Sequence, residues 1–220
     1  MKITVFRFGT TLLGENCIFD NGDKNKSRRI SLLYFLLENN GKKYLVDAGC
    51  DTMPGFELLE HIRPYDLLQK YGYTKDDIDG VILSHCHFDH VDCARYYNNS
   101  TVYIHESEVN EVKKYITSNK IQTFQDELCI DGRIRIKHSG GHCKGSSVVE
   151  IKTPETIFVL CGDETYHTDC FASPQNSGGV CNREKSLAFF AEYSKEKYTV
   201  ILAHDATVVE NVGAKVIYED

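Results

Sequence analysis

Residues 84–90 read Ser-His-Cys-His-Phe-Asp-His and directly follow the apolar run Gly-Val-Ile-Leu. Three imidazoles and one carboxylate therefore lie within six residues, and these groups are the usual nitrogen and oxygen ligands of zinc and related ions. Because side chains alternate along a strand, His85 and His87 should point to the same side. After the turn, Asp89 and His90 can reach a second ion. The stretch predicts a metal centre at the end of a strand.

Other candidate ligands stand beside further strand-like runs. Asp47, Asp163 and His204 each follow the end of such a run, and His142 lies in the glycine-rich turn 140–145 before another. Loops at strand ends present their side chains on a rigid sheet. One short segment cannot close two coordination spheres, so we expect the downstream residues to complete the centre.

Hydrophobic periodicity predicts strands interspersed with helices. The predicted strands are 2–8, 30–38, 43–47, 80–84, 101–104, 133–138, 146–152, 156–162 and 199–203. The predicted helices are 54–71, 90–97, 105–117 and 183–197. This order indicates the α/β (α+β) class, as an αβ/βα sandwich in which two mixed sheets lie face to face with helices outside. Residues 9–29 and 163–182 are rich in Gly, Asn, Asp and Ser, which predicts long loops.

The predicted helix 183–197 has both a start signal and an apolar face. Asn182 stands directly before it, a position that favours an N-cap. Leu187, Phe190 and Ala191 are spaced i, i+3 and i+4. This spacing predicts that they form the buried face.

Composition limits the classes of function. No repeat or linker divides the 220 residues, so a single domain over residues 1–220 is predicted. The net charge of −7 argues against a nucleic-acid partner, which would need a basic face. Residues 1–8 predict an edge strand rather than a signal peptide, and the longest apolar run, 30–37, is too short to span a membrane. We therefore expect a cytoplasmic protein with a small-molecule substrate and with its nine cysteines reduced.

The ordered set of candidate ligands resembles that of the metallo-β-lactamase superfamily, over residues 3–217. The resemblance implies a four-layer sandwich and two divalent metal ions. It implies that the first ion is bound by His85, His87 and His142, that the second is bound by Asp89, His90 and His204, and that Asp163 bridges both. Zinc is the expected ion, with manganese or iron as alternatives. In such two-metal sites a bridging hydroxide attacks the substrate.

A subgroup of this family is also similar. Residues 162–166 read Gly-Asp-Glu-Thr-Tyr, and this Asp-x-x-Tyr spacing resembles the N-acyl-homoserine lactone lactonases, in which the tyrosine hydroxyl assists at the scissile carbonyl. Residues 67–73, ahead of 76–78, look similar as well. The resemblance implies that Tyr166 donates a hydrogen bond to the developing oxyanion. Asp89 is the candidate proton shuttle to the leaving group.

The sequence thus predicts a dinuclear metal-dependent hydrolase of a small ester-like substrate, with a lactone favoured. A thioesterase of the glyoxalase II type shares the ligand set and remains an alternative. A phosphodiesterase, such as a nuclease of the tRNA-processing type, would need a basic exosite. A flavodiiron protein would have glutamate where this chain has His87.

Several neighbouring residues have open roles. Asp47 is predicted either to form the turn before Ala48 or to accept the free N–H of a motif histidine. Thiolates also bind zinc, and four cysteines lie beside the predicted ligands: Cys86, Cys93, Cys143 and Cys161. Among them Cys161 or Cys86 is the first candidate, although Cys86 should point away from the alternating ligands. The remaining histidines are expected at the surface or in caps: His61, His105, His138 and His167.

Overall fold

The computed structural model describes residues 1–116, 120–172 and 174–220. Within these residues the strands are β1 (Lys2–Gly14), β2 (Ser27–Asn39), β3 (Lys42–Val46), β4 (Gly80–Ile82), β5 (Thr101–His105), β6 (Lys120–Phe124), β7 (Glu127–Cys129), β8 (Ile134–His138), β9 (Ser147–Lys152), β10 (Ile157–Leu160), β11 (Tyr198–Ile201) and β12 (Gly213–Glu219). The α-helices are α1 (Glu15–Ile18), α2 (Pro64–Lys70), α3 (Phe88–Val91), α4 (Val109–Val112), α5 (Asp169–Ala172) and α6 (Arg183–Tyr193). Short 3₁₀ segments span Lys75–Asp77, Asp92–Tyr96 and Glu106–Glu108.

Among the described residues the strands form one sheet of seven and one of five. The larger sheet has the order β12-β1-β2-β3-β4-β5-β6, and the smaller has the order β11-β10-β9-β8-β7. Both sheets are mixed. In the larger, β3 to β6 run parallel and the remaining pairs are antiparallel, whereas in the smaller only β10 and β11 are parallel.

The apolar run of β2 explains how the layers stack. Phe35 and Leu37 point between the two sheets and join the core that contains residues of β8, β9 and β10. Tyr34 and Leu36 point to the opposite side and join the core under α2 and the segment after β4. A strand that is covered on both faces reads as a continuous apolar run, and each large side chain buried here contributes about 1.5–3 kcal/mol.

The outer face of the smaller sheet is covered by α6, which completes the predicted four-layer αβ/βα sandwich. Phe189, Phe190 and Tyr193 form the core of this layer. The predicted apolar face of the helix is confirmed at Phe190 but was wrong at Leu187, which is 44% exposed, and at Ala191, which is exposed as well. The buried face of the helix begins with a serine, Ser186. A search for apolar residues alone therefore misplaced part of the buried face.

All nine predicted strands are present, but the predicted loop 9–29 is wrong. The structure extends β1 and β2 into one long hairpin that pairs as far as Gly14 with Ser27. Continuous cross-strand pairing there outweighs a composition rich in turn residues. In the predicted loop 163–182 the structure adds α5, and residue 173 lies outside the described residues.

The predicted helices are longer than those observed. The prediction of 54–71 was wrong for its first half, because α2 begins at Pro64 and Leu59 instead pairs with Thr10 of β1. Proline is favoured at the first position of a helix, because the N–H that it lacks would have no hydrogen-bond partner within the helix. The predicted helices 90–97 and 105–117 each divide into an α-helical and a 3₁₀ part; residue 117 lies outside the described residues.

No helix in the described ranges is long and apolar enough to cross a bilayer. All nine cysteines are free thiols.

Candidate metal centre

The loops after β3, β4, β8, β10 and β11 meet at one edge of the sandwich. They bring together all seven side chains that the sequence singled out as ligands: His85, His87, Asp89, His90, His142, Asp163 and His204. Their donor atoms form overlapping groups in which every atom lies within 4.8 Å of the others. Such groups can hold a metal ion.

Asp163 stands between two pairs of histidines. Its Oδ1 lies 3.1 Å from Nε2 of His90 and 3.0 Å from Nε2 of His204. Its Oδ2 lies 3.8 Å from Nε2 of His85 and 3.6 Å from Nε2 of His142. Each oxygen of one carboxylate therefore faces a different pair of imidazoles, which is the arrangement needed to bridge two ions.

Burial and charge set the protonation of this cluster. Burial alone raises the pKa of Asp163, but His90 and His204 outweigh it and hold that pKa well below the usual range. Burial lowers the pKa of His85 well below its usual value and that of His142 to about 4. These two imidazoles are therefore neutral at neutral pH, the form in which histidine binds a metal.

Two buried ring nitrogens face Asp163 in the centre without the geometry of a hydrogen bond. Nε2 of His85 and Nε2 of His90 make no hydrogen bond within the described part of the chain. Both rings are 1% exposed. An unsatisfied buried polar atom is costly, and a metal ion would satisfy both, so the donor set fits a metal.

Asp47 orients two of the motif histidines. Its Oδ2 lies 2.7 Å from Nδ1 of His90 and accepts the Ser84 hydroxyl proton at 2.9 Å, while its Oδ1 accepts the Ser84 N–H at 2.8 Å. Because that hydroxyl proton is used on Asp47, the Ser84 oxygen can accept from Nδ1 of His85, 3.0 Å away. With Nδ1 engaged in this way, both imidazoles direct Nε2 toward Asp163. The second predicted role of Asp47, as an acceptor for a motif histidine, agrees with this geometry.

The backbone at Asp47 is strained to achieve this. Its φ is 60°, in the left-handed region that residues other than glycine rarely adopt. Hydrogen bonds on both sides hold it there: its N–H donates to the carbonyl of Ile82 at 2.8 Å, and the next N–H, of Ala48, donates to that of His90 at 2.8 Å. Strain that the surroundings enforce is typical of functional sites.

His204 is oriented by the main chain of a distant strand. Its Nδ1–H donates to the carbonyl of Ser31 at 2.8 Å, and this bond directs its Nε2 toward Oδ1 of Asp163, 3.0 Å away. Ser31 lies 173 positions earlier in the chain. Because a carbonyl is available on every residue, no sequence signal could have identified this partner.

Cys143 is the cysteine that reaches the centre. Its Sγ lies 3.5 Å from Nε2 of His87 and belongs to the donor group of His85, His87 and His142. The preference for Cys161 or Cys86 was wrong. Cys161 is buried in the core between the smaller sheet and α6, and Cys86 packs against the core on the outer face of the larger sheet.

A fourth group of potential donors lies outside the centre. It consists of Asp51, Asp92 and Cys93, but two arginines already pair with its carboxylates. Arg95 lies 2.8 Å from Asp51 and also contacts Asp92, and Arg63 lies 3.3 Å from Asp51. Cations in these positions make this group an ion-pair network.

The other four histidines make local contacts away from the seven ligands. His105 caps the 3₁₀ segment after it by accepting from the Ser107 N–H, and the rings of His105 and His138 stack 4.1 Å apart. His61 contacts the carbonyl of Cys50. His167 contacts Asp169 and is half-buried.

A pocket of about 380 Å³ opens beside the centre. Its apolar walls are Leu13, Ile30, Met53, Pro54, Phe56 and Phe88. The polar groups at its base include Asp89, Asp163 and His204.

Tyr166 lines the same pocket. Its hydroxyl donates to Oδ2 of Asp163 at 2.7 Å, and its ring stacks on His204 with centroids 5.1 Å apart. Burial and the charge of Asp163 raise the pKa of Tyr166 well above its usual value. The phenol therefore stays protonated and can donate a hydrogen bond into the pocket.

Two N-acyl homoserine lactonases are similar to this chain in sequence. N-acyl homoserine lactonase AiiB of Agrobacterium fabrum is 23% identical over 167 residues, which are 63% of this chain and 60% of that protein. The N-acyl homoserine lactonase of Bacillus cereus is 24% identical over 176 residues, which are 74% of this chain and 69% of that protein. The chain thus spans less than two thirds of the length of the Agrobacterium relative that it matches.

Solved structures share the fold. An N-acyl homoserine lactone hydrolase with the product N-hexanoyl-L-homoserine bound at its catalytic metal center superposes with a TM-score of 0.82 at 20% identity, over 93% of each chain. AidC, a dizinc quorum-quenching lactonase, superposes with a TM-score of 0.77 at 17% identity, over 99% of this chain and 94% of that one. The sequence profile of the Metallo-beta-lactamase superfamily matches residues 31–180, more than half of the chain. The chain therefore belongs to the metallo-beta-lactamase superfamily.

Proposed function

We propose that this protein is a dinuclear metal-dependent hydrolase of small ester-like substrates, with a lactone as the favoured substrate. The observation that carries the proposal is the position of Asp163, whose two oxygens face two separate pairs of histidines. The first ion would be held by His85, His87 and His142, the second by Asp89, His90 and His204, and Asp163 would be shared.

Zinc is the expected ion, because imidazole and carboxylate ligands predominate; manganese and iron are the alternatives. Two such ions, when bound, supply an activated water at neutral pH and polarise a carbonyl.

Two residues of the chain would act on the substrate. The Tyr166 hydroxyl is directed into the pocket and can transfer its hydrogen bond from Asp163 to the oxygen of the scissile carbonyl, where negative charge develops. Asp89 lines the same pocket. Its carboxylate can accept the proton that the attacking water gives up and donate it to the leaving oxygen of a substrate bound in this pocket.

The pocket favours a substrate with an apolar part. Six apolar side chains line it, and its polar lining consists of Tyr166 and four of the candidate ligands. A lactone with an acyl substituent would place its ring at the polar end and its chain along the walls. The names of the relatives and of the superposed structures, which are lactonases, support the same choice.

The proposal is tested by metal content together with a substrate panel. We expect two ions per chain by elemental analysis, and faster hydrolysis of acyl-substituted lactones than of thioesters or phosphodiesters of similar size. A matched pair of lactones, with and without the acyl chain, tests the role of the apolar walls. One tightly bound ion with no second on titration would contradict the shared role of Asp163. A preference for thioesters would instead favour the glyoxalase II type of activity.

A further inference from the structure

Glu164 is a buried acid that the proposed reaction does not use. It directly follows Asp163 and is 1% exposed. In the described ranges no ion pair includes it. A buried carboxyl group without a cation is costly unless hydrogen bonds satisfy it, so its partners indicate why it is there.

The partners of Glu164 all belong to the loop that carries His142. Its Oε1 accepts from the hydroxyl of Ser139 at 2.7 Å, from the N–H of Gly141 at 3.1 Å and from the N–H of His142 at 3.3 Å. Because Glu164 is the neighbour of Asp163, these bonds connect the loop of one ligand to the loop of another.

The main chain of this loop is shaped to admit the carboxyl group. A Cβ atom on Gly141 would lie 2.2 Å from Oε2 of Glu164 and 2.9 Å from Cα of Ser186. Only glycine therefore fits at position 141. Because glycine has no side chain, the carboxyl group of Glu164 can reach the N–H groups of Gly141 and His142.

The imidazole of His142 depends on this loop more than the other buried rings do. Its Nδ1 is buried and makes no hydrogen bond among the described residues. By contrast, His90 has Asp47 and His204 has the Ser31 carbonyl on the outer nitrogen. On its inner side, Nε2 of His142 contacts Nδ1 of His87 at 3.0 Å. With no acceptor on its outer nitrogen, His142 lacks the support that His90 and His204 have, and the position of its main chain has a larger part in orienting its ring.

That main chain is held from two sides. The carbonyls of Gly141 and His142 accept from the N–H groups of Asn182 and Cys181, at 2.9 and 3.0 Å. Glu164 holds the opposite, N–H side of the same two residues. Removal of the carboxyl group would leave the peptide free to turn about the remaining contacts.

We propose that Glu164 is a positioning residue for the first metal ion: it fixes the main chain of His142 and so sets the affinity of the site formed by His85, His87 and His142. The inference rests on the proposed metal centre and names a residue that acts on one half of it. Outer partners of metal ligands commonly change affinity by about 10- to 100-fold.

The test is a zinc titration of the metal-free full-length chain against a chromophoric chelator, which yields a dissociation constant for each ion. The His142→Ala variant identifies the constant of the first site. Glu164→Ala should weaken that same constant by about 10- to 100-fold and leave the other within about 3-fold. Glu164→Gln keeps an accepting oxygen and should restore the first constant to within about 3-fold of the original.

Glu150→Ala is the matched control. Glu150 is also a buried glutamate, 3% exposed, but it bonds to Arg135 of β8 and to Tyr193 of α6 and contacts none of the candidate ligands. It should lower thermal stability without a selective change in the first constant. If Glu164→Ala weakened both constants equally, as a general loss of folding would, Glu164 would have only a structural role and the inference would be wrong.

Should Glu164→Ala fail to fold, Ser139→Ala removes one of the three donors and should weaken the first constant by about 5-fold, the value of one hydrogen bond. An unchanged constant in that variant would overturn the inference. If the unmodified chain binds no zinc, the proposed metal centre itself is wrong. If it binds two ions and Glu164→Ala changes neither constant, only the role of Glu164 is wrong.

Discussion

The two halves of the candidate centre are built differently. In the half formed by Asp89, His90 and His204, both histidines are almost fully buried and each has an acceptor on its outer nitrogen. In the other half, His87 is exposed and its Nε2 faces only the thiol of Cys143, while Nδ1 of His142 has no partner in the described part of the chain.

This difference teaches where the rigidity of the site comes from. Rings that are fixed by an outer hydrogen bond keep their orientation without a metal, because the bond sets both the tautomer and the rotation. We therefore expect the half with His90 and His204 to be preorganised. The half with His87 and His142 should gain part of its order when an ion binds.

The largest expected effect comes from Asp163, the residue that the two halves share. Asp163→Asn removes the charge that faces both histidine pairs, so both ions should be lost, with affinities lowered by about 100-fold or more. His204→Ala should empty only its own half. Elemental analysis after dialysis measures both. The comparison breaks down if His204→Ala releases both ions as readily as Asp163→Asn does.

Tyr166 touches both halves, through its bond to Asp163 and its stacking on His204. Tyr166→Phe keeps the ring and removes the donor, so both ions should remain. The kcat on the best lactone or ester should fall by about 10- to 1,000-fold, as for a lost oxyanion donor. A parallel fall in kcat/KM is expected, because the bond strengthens only in the transition state. An unchanged rate would mean that Tyr166 only packs against His204.

Asp47 tests mainly the preorganised half, because it contacts His90 directly and reaches His85 only through the Ser84 hydroxyl. Both oxygens of the Asp47 carboxylate accept hydrogen bonds, one from the Ser84 N–H and the other from His90. In Asp47→Asn the amide NH₂ replaces one of these oxygens, so two donors face each other and one of the two bonds is lost. The ion of the second half should bind about 10- to 100-fold more weakly. Asp51→Asn, in the neighbouring arginine network, is the matched control and should leave zinc affinity unchanged. Equal losses in the two variants would show that general stability, not ligand orientation, is responsible.

The fold followed from the sequence where burial imposes a strict pattern. Residues 30–37 are apolar apart from Ser31 because both faces of β2 are covered. The hairpin at 9–29 was missed because its pairing depends on the register between β1 and β2. Register is a contact between distant residues, which local composition does not report.

The residues of the candidate site also fall into two groups, those that the sequence identified and those that it did not. The candidate ligands were visible because metal chemistry restricts ligands to a few residue types, which here stand at strand ends. Their supports were less visible: Ser31 acts through its carbonyl, which any residue could supply, and Glu164 acts on backbone N–H groups. Cys143 could have been identified only from the direction in which its loop turns.

The smallest expected effect concerns the stacked rings of His105 and His138, which contact the loop that carries His142. Nε2 of His138 donates to the carbonyl of Lys144, in the loop that carries His142. Burial, and then the neighbouring His138 ring, lower the pKa of His105. The folded state therefore resists protonation of His105 more than the unfolded state does.

Stability should accordingly be full above the unfolded pKa of about 6.5 and should fall as the pH drops below it, by at most about 1.4 kcal/mol per pH unit for one proton. His105→Asn retains an acceptor for the Ser107 N–H and removes the titrating ring, so its stability curve should be flatter below that pH. Urea unfolding of the metal-free protein across this range measures the difference. Identical slopes in the two proteins would show that His105 does not contribute to the pH dependence. A flatter slope in His105→Asn, together with release of the first ion at a higher pH on acidification, would show that the stacked pair also supports the loop of His142.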